Sequence, residues 1–277
     1  MNANQKIALI TGGTDGIGRQ VAIRLAKRGF DLILVGRNPE KADLTHGLIK
    51  AVAPTTSISF WQYDLSLMRE VDALSEQLHD TYTHLDVVVL CAGVMLSELT
   101  LTDEGIETVF AVQYLGRYVL LNRIIDILNA SDNAQVVNVS AGGNVNMALD
   151  FENLNGEKGY DGVKALRQES VANDMLTLDL NEQHPNLSIY CYGPGYVKTT
   201  LLRDMPTWFQ KVSEFAGIFI GYTAEQAADD ILRLIEGDYP AGLYDRKAKQ
   251  NQASGFRLDA ANRARLRSLS EQLIAVD

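Results

Sequence analysis

Short apolar runs alternate along this chain with longer segments in which apolar residues recur at helical spacing. A bounded apolar run of about four to eight residues is typical of a buried strand, whereas recurrence about every three to four residues is typical of a helix packed on one face. The runs that predict strands are KIALIT, DLILVG, SISFWQ, LDVVVLCAG, AQVVNVS, LSIYCYGPG and GLYD. Because helical segments separate these runs, the pattern predicts an α/β fold built on a doubly wound parallel sheet.

The second half of the chain carries the longest predicted helices. We expect one helix over about residues 100–128 and another that ends near Leu180. A capping box formed by Thr223 and Gln226 starts a further helix. An Arg-rich amphipathic helix over about residues 256–275 places four leucines on one side. These leucines are Leu258, Leu266, Leu269 and Leu273.

Composition narrows the domain count and the classes of partner. No repeat or Pro/Ser-rich linker interrupts the pattern, so we interpret residues 1–277 as a single domain. The chain has 25 Lys and Arg against 35 Asp and Glu, a net charge of −10 without a basic cluster, which argues against nucleic acid as a partner. The apolar runs are shorter than the roughly 18 residues of a spanning helix, and the start of the chain lacks a signal-peptide pattern. We therefore expect a cytoplasmic protein without a membrane partner.

The cysteines and histidines do not predict a metal site. Cys91 and Cys191 both lie in apolar, strand-like runs, which favours buried free thiols over a disulfide. The histidines show no ligand spacing with cysteines or acidic residues.

A glycine-rich turn joins the first predicted strand to the first predicted helix in ALITGGTDGIGRQVAIRLA. Glycines allow the tight turn, let the backbone approach a pyrophosphate and leave room for the helix to pack on the strand, while the helix N-terminus faces the negative charge. The turn therefore predicts the dinucleotide site of a Rossmann-type sheet. The loop residues expected to contact the cofactor are Gly12, Thr14, Asp15, Gly16, Ile17 and Gly18.

The end of the second strand indicates which nicotinamide cofactor is preferred. An NAD enzyme of this architecture usually carries an acidic residue there to hold the ribose hydroxyls, but this chain has Gly36 followed by Arg37. A guanidinium binds a 2′-phosphate by charge-assisted hydrogen bonds, so we expect NADP(H) to be preferred over NAD(H). The alternative is a solvated arginine that opens the next helix.

Taken together, these motifs resemble those of the short-chain dehydrogenase/reductase family, over about Lys6 to Glu236, and in particular its retinol-dehydrogenase-like branch. TGGTDGIG is similar to the family's cofactor loop, YDL to its adenine-pocket segment, CAGV to its N-A-G strand end with Cys91 in place of the asparagine, and PGYVKT to its nicotinamide-side loop. The resemblance implies further cofactor contacts at Asp64, Leu65, Ala92, Gly93, Pro194, Gly195, Val197 and Thr199. It also implies a homo-oligomer, either a dimer or a tetramer.

The four positions that carry acid–base chemistry in the family are all altered here. Family members use an asparagine in the long helix, a serine after the fifth strand, and a tyrosine and a lysine one turn apart on the next helix. The segment VSAGGNVNMALDFENLNGEKGYDGVKALRQESVAN resembles the retinol-dehydrogenase-like pattern without a gap. In that register the four positions are Gln113, Ala141, Leu166 and Ser170.

A second register would use Tyr160 and Lys164, which have the family's Tyr-x-x-x-Lys spacing. That register would put charged residues on the helix face that packs against the sheet, which is costly. The register with Ser170 at the lysine position instead presents Val171, Ala172, Met175, Leu176 and Leu180 to the sheet. We therefore interpret the Tyr160 spacing as a coincidence and expect Tyr160 in the loop before the helix.

The catalytic residues thus stay unidentified at this stage. Strand alternation is expected to point Ser140 away from the site, where its hydroxyl would bond to backbone. Tyr192 flanks the Pro-Gly loop, where core packing is the ordinary interpretation, and Asn144 and Asn146 are either turn residues or hydrogen-bond donors to a substrate. The candidates retained for a catalytic role are Gln113, Ser140, Tyr160, Lys164 and Tyr192.

An aromatic segment over about residues 200–222 corresponds to the family's lid. Its apolar side chains are Met205, Trp208, Phe209, Phe215 and Phe219. They favour a hydrophobic or aromatic small molecule as substrate or ligand, although packing of a lid helix explains the same pattern.

Three functions agree with this sequence. We favour an NADP(H)-dependent oxidoreductase that acts on a hydrophobic carbonyl or alcohol by a non-standard mechanism. The first alternative is a catalytically silent relative that binds NADP(H) or a small ligand, because all four acid–base positions are altered. The second is a non-redox enzyme of the cyclase or dehydratase type, although the sequence shows no nucleophilic side chain paired with a general base.

Overall fold

The computed structural model of the chain describes residues 5–197, 206, 221–253 and 255–275. They form one eight-stranded sheet in the order β3-β2-β1-β4-β5-β6-β7-β8. The first seven strands are parallel and β8 runs antiparallel to β7. The strands are β1 (Ile7–Thr11), β2 (Asp31–Gly36), β3 (Ile58–Gln62), β4 (Val87–Leu90), β5 (Gln135–Val139), β6 (Ser188–Tyr192), β7 (Gly242–Tyr244) and β8 (Gln250–Asn251). The predicted doubly wound parallel sheet is confirmed.

Helices cover both faces of the sheet. The α-helices described are α1 (Gly16–Ala26), α2 (Pro39–Val52), α3 (Met68–Thr81), α4 (Thr108–Phe110), α5 (Gly116–Arg123), α6 (Ile125–Asn129), α7 (Gly162–Gln183), α8 (Ala224–Glu236), α9 (Gly255–Leu258) and α10 (Ala260–Ile274). A π-helical segment, Ala111–Leu115, joins α4 to α5. The predicted capping box is confirmed, because the Thr223 hydroxyl accepts from the Gln226 N–H and the Gln226 side chain accepts from the Thr223 N–H.

Alternation along each strand divides the core into two apolar layers. In β1, Leu9 packs into the layer formed with α3, α5 and α7, and Ile10 packs into the layer formed with α1 and α8. The order of strands reverses between β1 and β4. The chain leaves β1 toward β2 on one side of the sheet and leaves β4 toward β5 on the other, so a crevice opens at the carboxyl ends of β1 and β4. In sheets of this type ligands bind at that crevice.

The long helix predicted over residues 100–128 begins later than expected. The Glu107 carboxylate accepts from the backbone N–H groups of Val109 and Phe110, which starts α4 at Thr108. Before it, Leu101 and Glu107 form a β-bridge around Gly105, whose φ of +74° favours glycine. A cap, a bridge and a turn together prevent the helix from extending back to Thr100.

The C-terminal amphipathic helix is divided in two. Asp259 accepts from the N–H of Ala261 and starts α10, so α9 ends at Leu258. Leu266 is buried in the core, whereas Leu258 is 54% exposed. The prediction that Leu258 and Leu266 lie on one side of a single continuous helix is therefore wrong. The lid predicted over residues 200–222 lies outside the described residues except for Pro206, Gly221 and Tyr222.

Candidate functional site

A cavity of about 790 Å³ opens at the carboxyl ends of the strands. Its lining runs from the glycine turn after β1, past Ala92 and Gly93 after β4, to Ala141 after β5 and Leu166 on α7. The volume lies within the range of about 300–1,000 Å³ that is typical of small-molecule and cofactor sites. One cavity therefore joins the predicted dinucleotide end to the predicted catalytic end.

The glycine turn brings backbone against backbone at the dinucleotide end. A Cβ atom on Gly12 would lie 2.8 Å from the Ala92 nitrogen, and one on Gly18 would lie 2.4 Å from the Gly12 carbonyl oxygen. Gly12 also has a φ of +64°. Side chains at these two positions would push the turn away from the end of β4 and from the first turn of α1, so glycine is needed for this close backbone packing.

The charges around the α1 N-terminus are balanced. Asp15 caps the helix by accepting from the Gly16 N–H at 2.8 Å. Its carboxylate forms an ion pair with Lys41 and lies 3.5 Å from Arg19. The negative charge of Asp15 is thus compensated by two cations close to the place where phosphates would bind.

Arg37 lies at the end of the cavity beyond β2. Its Nη1 lies 3.3 Å from Asp64 Oδ2, and its side chain is 53% exposed. Burial alone would raise the pKa of Asp64, but hydrogen bonds from Ser66 and the charge of Arg37 lower it. Asn38 and Lys41 line the same end, and the sequence interpretation missed both. A basic side chain one helical turn after Arg37 was the signal available.

Fourteen of the fifteen predicted cofactor residues line this cavity. They are Gly12, Thr14, Asp15, Gly16, Ile17, Gly18, Arg37, Asp64, Leu65, Ala92, Gly93, Pro194, Gly195 and Val197. The remaining one, Thr199, lies outside the described residues.

The four residues that the resemblance assigns to the acid–base positions lie together at the other end of the cavity, which we term the catalytic end. Gln113, Ala141, Leu166 and Ser170 all belong to its lining. Gln113 is 4% exposed; its Oε1 accepts from the Val94 N–H at 3.2 Å, and its Nε2 has no partner among the described residues. Leu166, which the resemblance assigns to the position of the proton-donating tyrosine, has a side chain that cannot exchange a proton.

Ser140 is also among the residues that line the cavity. Strand β5 ends at Val139, so alternation no longer decides the direction of Ser140. Its hydroxyl is buried and has no hydrogen-bond partner among the described residues, which corrects the expected bond to backbone. Asn144 lines the cavity as well, and its Oδ1 accepts from Asn251 at 3.4 Å.

Tyr160 and Lys164 are absent from this lining, which consists of described residues only. The Tyr160 hydroxyl donates to Glu107 Oε1 at 3.2 Å and to the Leu96 carbonyl at 3.3 Å, and Lys164 Nζ lies 3.0 Å from Asp150. Burial and the Glu107 carboxylate raise the pKa of Tyr160, the opposite of what a proton-donating tyrosine requires.

Tyr192 also lies away from the lining. It is buried in β6, and its hydroxyl donates to Asp230 Oδ2 at 3.0 Å. Burial and the Asp230 carboxylate raise its pKa.

A buried polar network that the sequence interpretation missed supports the catalytic end. Arg117 is 5% exposed; its Nη1 donates to Asn138 Oδ1 at 2.6 Å and to the Val139 carbonyl at 2.8 Å, and its Nη2 donates to the Ala92 carbonyl at 2.7 Å. Asn138 in turn donates to Asn173 Oδ1 at 2.8 Å. The network links the ends of β4 and β5 to helices α5 and α7.

Glu169 completes this network from the cavity wall. The carboxyl group accepts from Asn173 Nδ2 at 2.7 Å and from the Ser170 hydroxyl at 3.1 Å, and the residue is 3% exposed. Burial raises the pKa of Glu169 to about 7, although the charge of Arg117 and hydrogen bonds from Ser170 and Asn173 act against the rise. Burial lowers the pKa of Arg117. The one available signal was the spacing of Glu169 and Asn173, which puts both on one face of α7.

Within residues 5–197, 206, 221–253 and 255–275, no group of three or more His, Cys, Asp and Glu side chains is arranged to hold a metal ion. Both cysteines are free thiols. The described helices include none with the length and apolar character needed to cross a membrane.

Known proteins resemble this chain in sequence and in fold. The family model described as short chain dehydrogenase matches residues 6–209. Retinol dehydrogenase 13 of Mus musculus is 30% identical over 219 residues, a stretch that covers 78% of this chain and 65% of the mouse protein. An uncharacterised protein from Mycobacterium paratuberculosis has a solved structure with a TM-score of 0.75 and 25% identity, covering 99% of this chain and 94% of that one. An alcohol dehydrogenase from Thermococcus sibiricus, solved with 5-hydroxy-NADP, has a TM-score of 0.68 and 17% identity and covers 91% of this chain and 100% of that one.

Proposed function

Because this chain belongs to the short-chain dehydrogenase family, we propose that it is an NADP(H)-dependent oxidoreductase acting on a hydrophobic carbonyl or alcohol. One observation carries the proposal: a single cavity connects the glycine turn to the catalytic end. The apolar part of that end includes Val94, Val112, Val145 and Leu166, which suits an apolar substrate.

The described residues fit a dinucleotide. Gly12 and Gly18 let the backbone of the turn pack closely beside the N-terminus of α1, whose N–H groups would face the pyrophosphate. Arg37 and Lys41 would hold a 2′-phosphate at the end of β2. When bound, NADP(H) supplies or accepts the hydride of the reaction.

The mechanism we propose is non-standard because the family's proton donor is replaced. Ala141 and Leu166 offer no exchangeable proton, so another group must exchange one with the substrate oxygen. A catalytically silent, nucleotide-binding protein is the second candidate, and the presence of these two apolar side chains in the cavity wall favours it. Consumption of NADPH that depends on a carbonyl substrate separates the two candidates.

Exchanging Arg37 for alanine is expected to weaken NADPH binding by about 10- to 100-fold and to leave NADH binding unchanged. A charge-assisted hydrogen bond contributes about 1.5–3 kcal/mol, and only NADPH carries the phosphate that accepts it. Calorimetric titration with each nucleotide measures the change.

Arg123→Ala is the matched control, because Arg123 is 58% exposed and pairs with Asp72 at 2.9 Å, as Arg37 pairs with Asp64. Equal affinities of the unaltered protein for NADPH and NADH, or an Arg37→Ala variant that keeps its NADPH affinity, would contradict the assigned preference.

A further inference from the structure

The catalytic end contains a carboxylic acid with no established role. Among the described residues that line the cavity, Asp15 and Asp64 lie at the dinucleotide end, and Glu169 lies at the catalytic end. Glu169 follows Leu166 by three positions on α7, so both side chains emerge on the same face of the helix. The acid therefore lies one helical turn from the position at which the family resemblance places a tyrosine.

The hydrogen bonds of Glu169 fix its carboxyl group in place and are compatible with both its ionised and its protonated form. Asn173 Nδ2 donates to Oε2 at 2.7 Å, and Asn173 itself is fixed by the Asn138 amide and by the Gln113 carbonyl, which accepts at 2.7 Å. The Ser170 hydroxyl lies 3.1 Å from Oε1 and 2.7 Å from the Leu166 carbonyl. When Glu169 is ionised, the hydroxyl can donate to Glu169 Oε1. When Glu169 is protonated, the hydroxyl can accept from the acid and donate to the Leu166 carbonyl.

The charged and titratable groups around Glu169 come from several elements. Arg117 on α5 attracts the carboxylate, and Asp174 on α7 repels it while being paired with Arg257 on α9 at 2.8 Å. Cys91 after β4 and Cys191 in β6 interact electrostatically with Arg117, and burial raises the pKa of both thiols. Arg167 lines the cavity from the exposed side of α7. Burial raises the pKa of Glu169 to about 7, so this carboxyl group changes charge near neutral pH.

We propose that Glu169 exchanges the proton of the reaction with the substrate oxygen, in the role that tyrosine has in the family's usual pattern. The inference rests on the proposed oxidoreductase function. In the direction of reduction, the O–H bond of the Glu169 carboxylic acid breaks and a new O–H bond forms on the carbonyl oxygen. The hydride that NADPH would supply forms a C–H bond at the carbonyl carbon, and the carbonyl double bond becomes a single bond. The products are an alcohol, NADP⁺ and the Glu169 carboxylate, which regains a proton from solvent. Asn173 and Ser170 are positioning residues for the carboxyl group.

The test uses the charge difference between NADP⁺ and NADPH. Both carry the same phosphates, but only the oxidised nicotinamide ring is positively charged, and a positive charge in the cavity lowers the pKa of a carboxylic acid there. Binding of NADP⁺ at pH 7 should therefore release more protons than binding of NADPH, by up to about half a proton. Calorimetric titration in phosphate and in Tris, which differ in ionisation enthalpy, yields the number of protons released.

Three variants make the assignment specific. Glu169→Gln should abolish the difference between the two nucleotides, and Glu169→Asp should retain part of it. Glu107→Gln is the matched control, because Glu107 is a buried acid with a raised pKa that does not line the cavity; this variant should keep the full difference. In the unaltered protein the difference should disappear at pH 9, where Glu169 is ionised before any nucleotide binds.

The outcomes distinguish a failure of the proposed function from a failure of the proposed role of Glu169. If neither nucleotide binds, the proposed function fails and the role of Glu169 fails with it. If both bind but the difference is absent, or persists in Glu169→Gln, or remains at pH 9, the role of Glu169 is overturned and the cofactor proposal stands. A difference that is lost with Glu169→Gln and at pH 9 supports the proposal.

Discussion

Replacing Arg257 by methionine is expected to lower the free energy of unfolding by about 3 to 5 kcal/mol. Arg257 Nε donates to Asp174 Oδ2 at 2.8 Å, and the two side chains are 1% and 0% exposed. Without the guanidinium, the Asp174 carboxylate would be left buried with no opposite charge. Because Asp174 also accepts from the Gly143 N–H and Arg257 donates to the Val145 carbonyl, the same change would loosen the loop after β5.

The loss should grow with pH. Burial already raises the pKa of Asp174, and removal of the cation raises it further. An acid whose pKa is raised by folding contributes stability below its unfolded pKa and loses that contribution as the pH rises through its folded pKa. The variant should therefore be closer in stability to the unaltered protein at pH 5 than at pH 8.

Urea unfolding followed by circular dichroism measures both effects. Arg265→Met is the control, because Arg265 is 51% exposed and pairs with Glu152, which is 70% exposed. An exposed pair of this kind contributes about 0–1 kcal/mol. A loss for Arg257→Met no larger than that of the control, or one that does not change with pH, would refute the assigned cost of the buried carboxylate.

Gly18→Ala is expected to reduce NADPH affinity by about 100-fold or more, equivalent to about 3 kcal/mol. Gly18 lies in the first turn of α1, and an added Cβ would lie 2.4 Å from the Gly12 carbonyl oxygen. The contact can be relieved only by moving the backbone of the turn that faces the pyrophosphate. Alanine in a helix is otherwise favoured over glycine by about 1 kcal/mol, so a loss must come from this contact.

Gly47→Ala supplies the comparison, since Gly47 also lies in a helix, α2, and an added Cβ there meets no atom within 4 Å. The Gly47 variant should bind NADPH like the unaltered protein and unfold at the same or a slightly higher urea concentration. If Gly18→Ala matched it in affinity, the glycine turn would serve the fold alone and not the nucleotide.

Elements that depend on residues close together in the chain could be predicted from the sequence. The strands and the glycine turn depend on apolar runs and on residues that are adjacent in the chain, and the capping box of α8 needs only Thr223 and Gln226. The apolar face of α7 could also be predicted, because Val171, Met175 and Leu180 are all buried as the apolar spacing indicates.

Features that depend on partners far away in the sequence could not be predicted. Glu169 and Asp174 are buried although charge on this face of α7 was expected to be too costly. Their partners, Arg117 and Arg257, come from helices far away in the chain, and no spacing rule connects them. Likewise, the apolar pattern suggested a helix start near residue 100, but α4 begins at Thr108 because Glu107 caps it there.

We propose that this chain is a nicotinamide-dependent oxidoreductase although Leu166 and Ser170 stand where the resemblance places the tyrosine and the lysine. The most direct measurement follows NADPH absorbance in the presence of hydrophobic aldehydes and ketones, with all-trans-retinal and phenanthrenequinone as the first probes. We expect oxidation of NADPH that depends on the added carbonyl and is lost in Gly18→Ala. NADPH that binds but is not consumed with any carbonyl tested would contradict the claim and favour a silent nucleotide-binding protein.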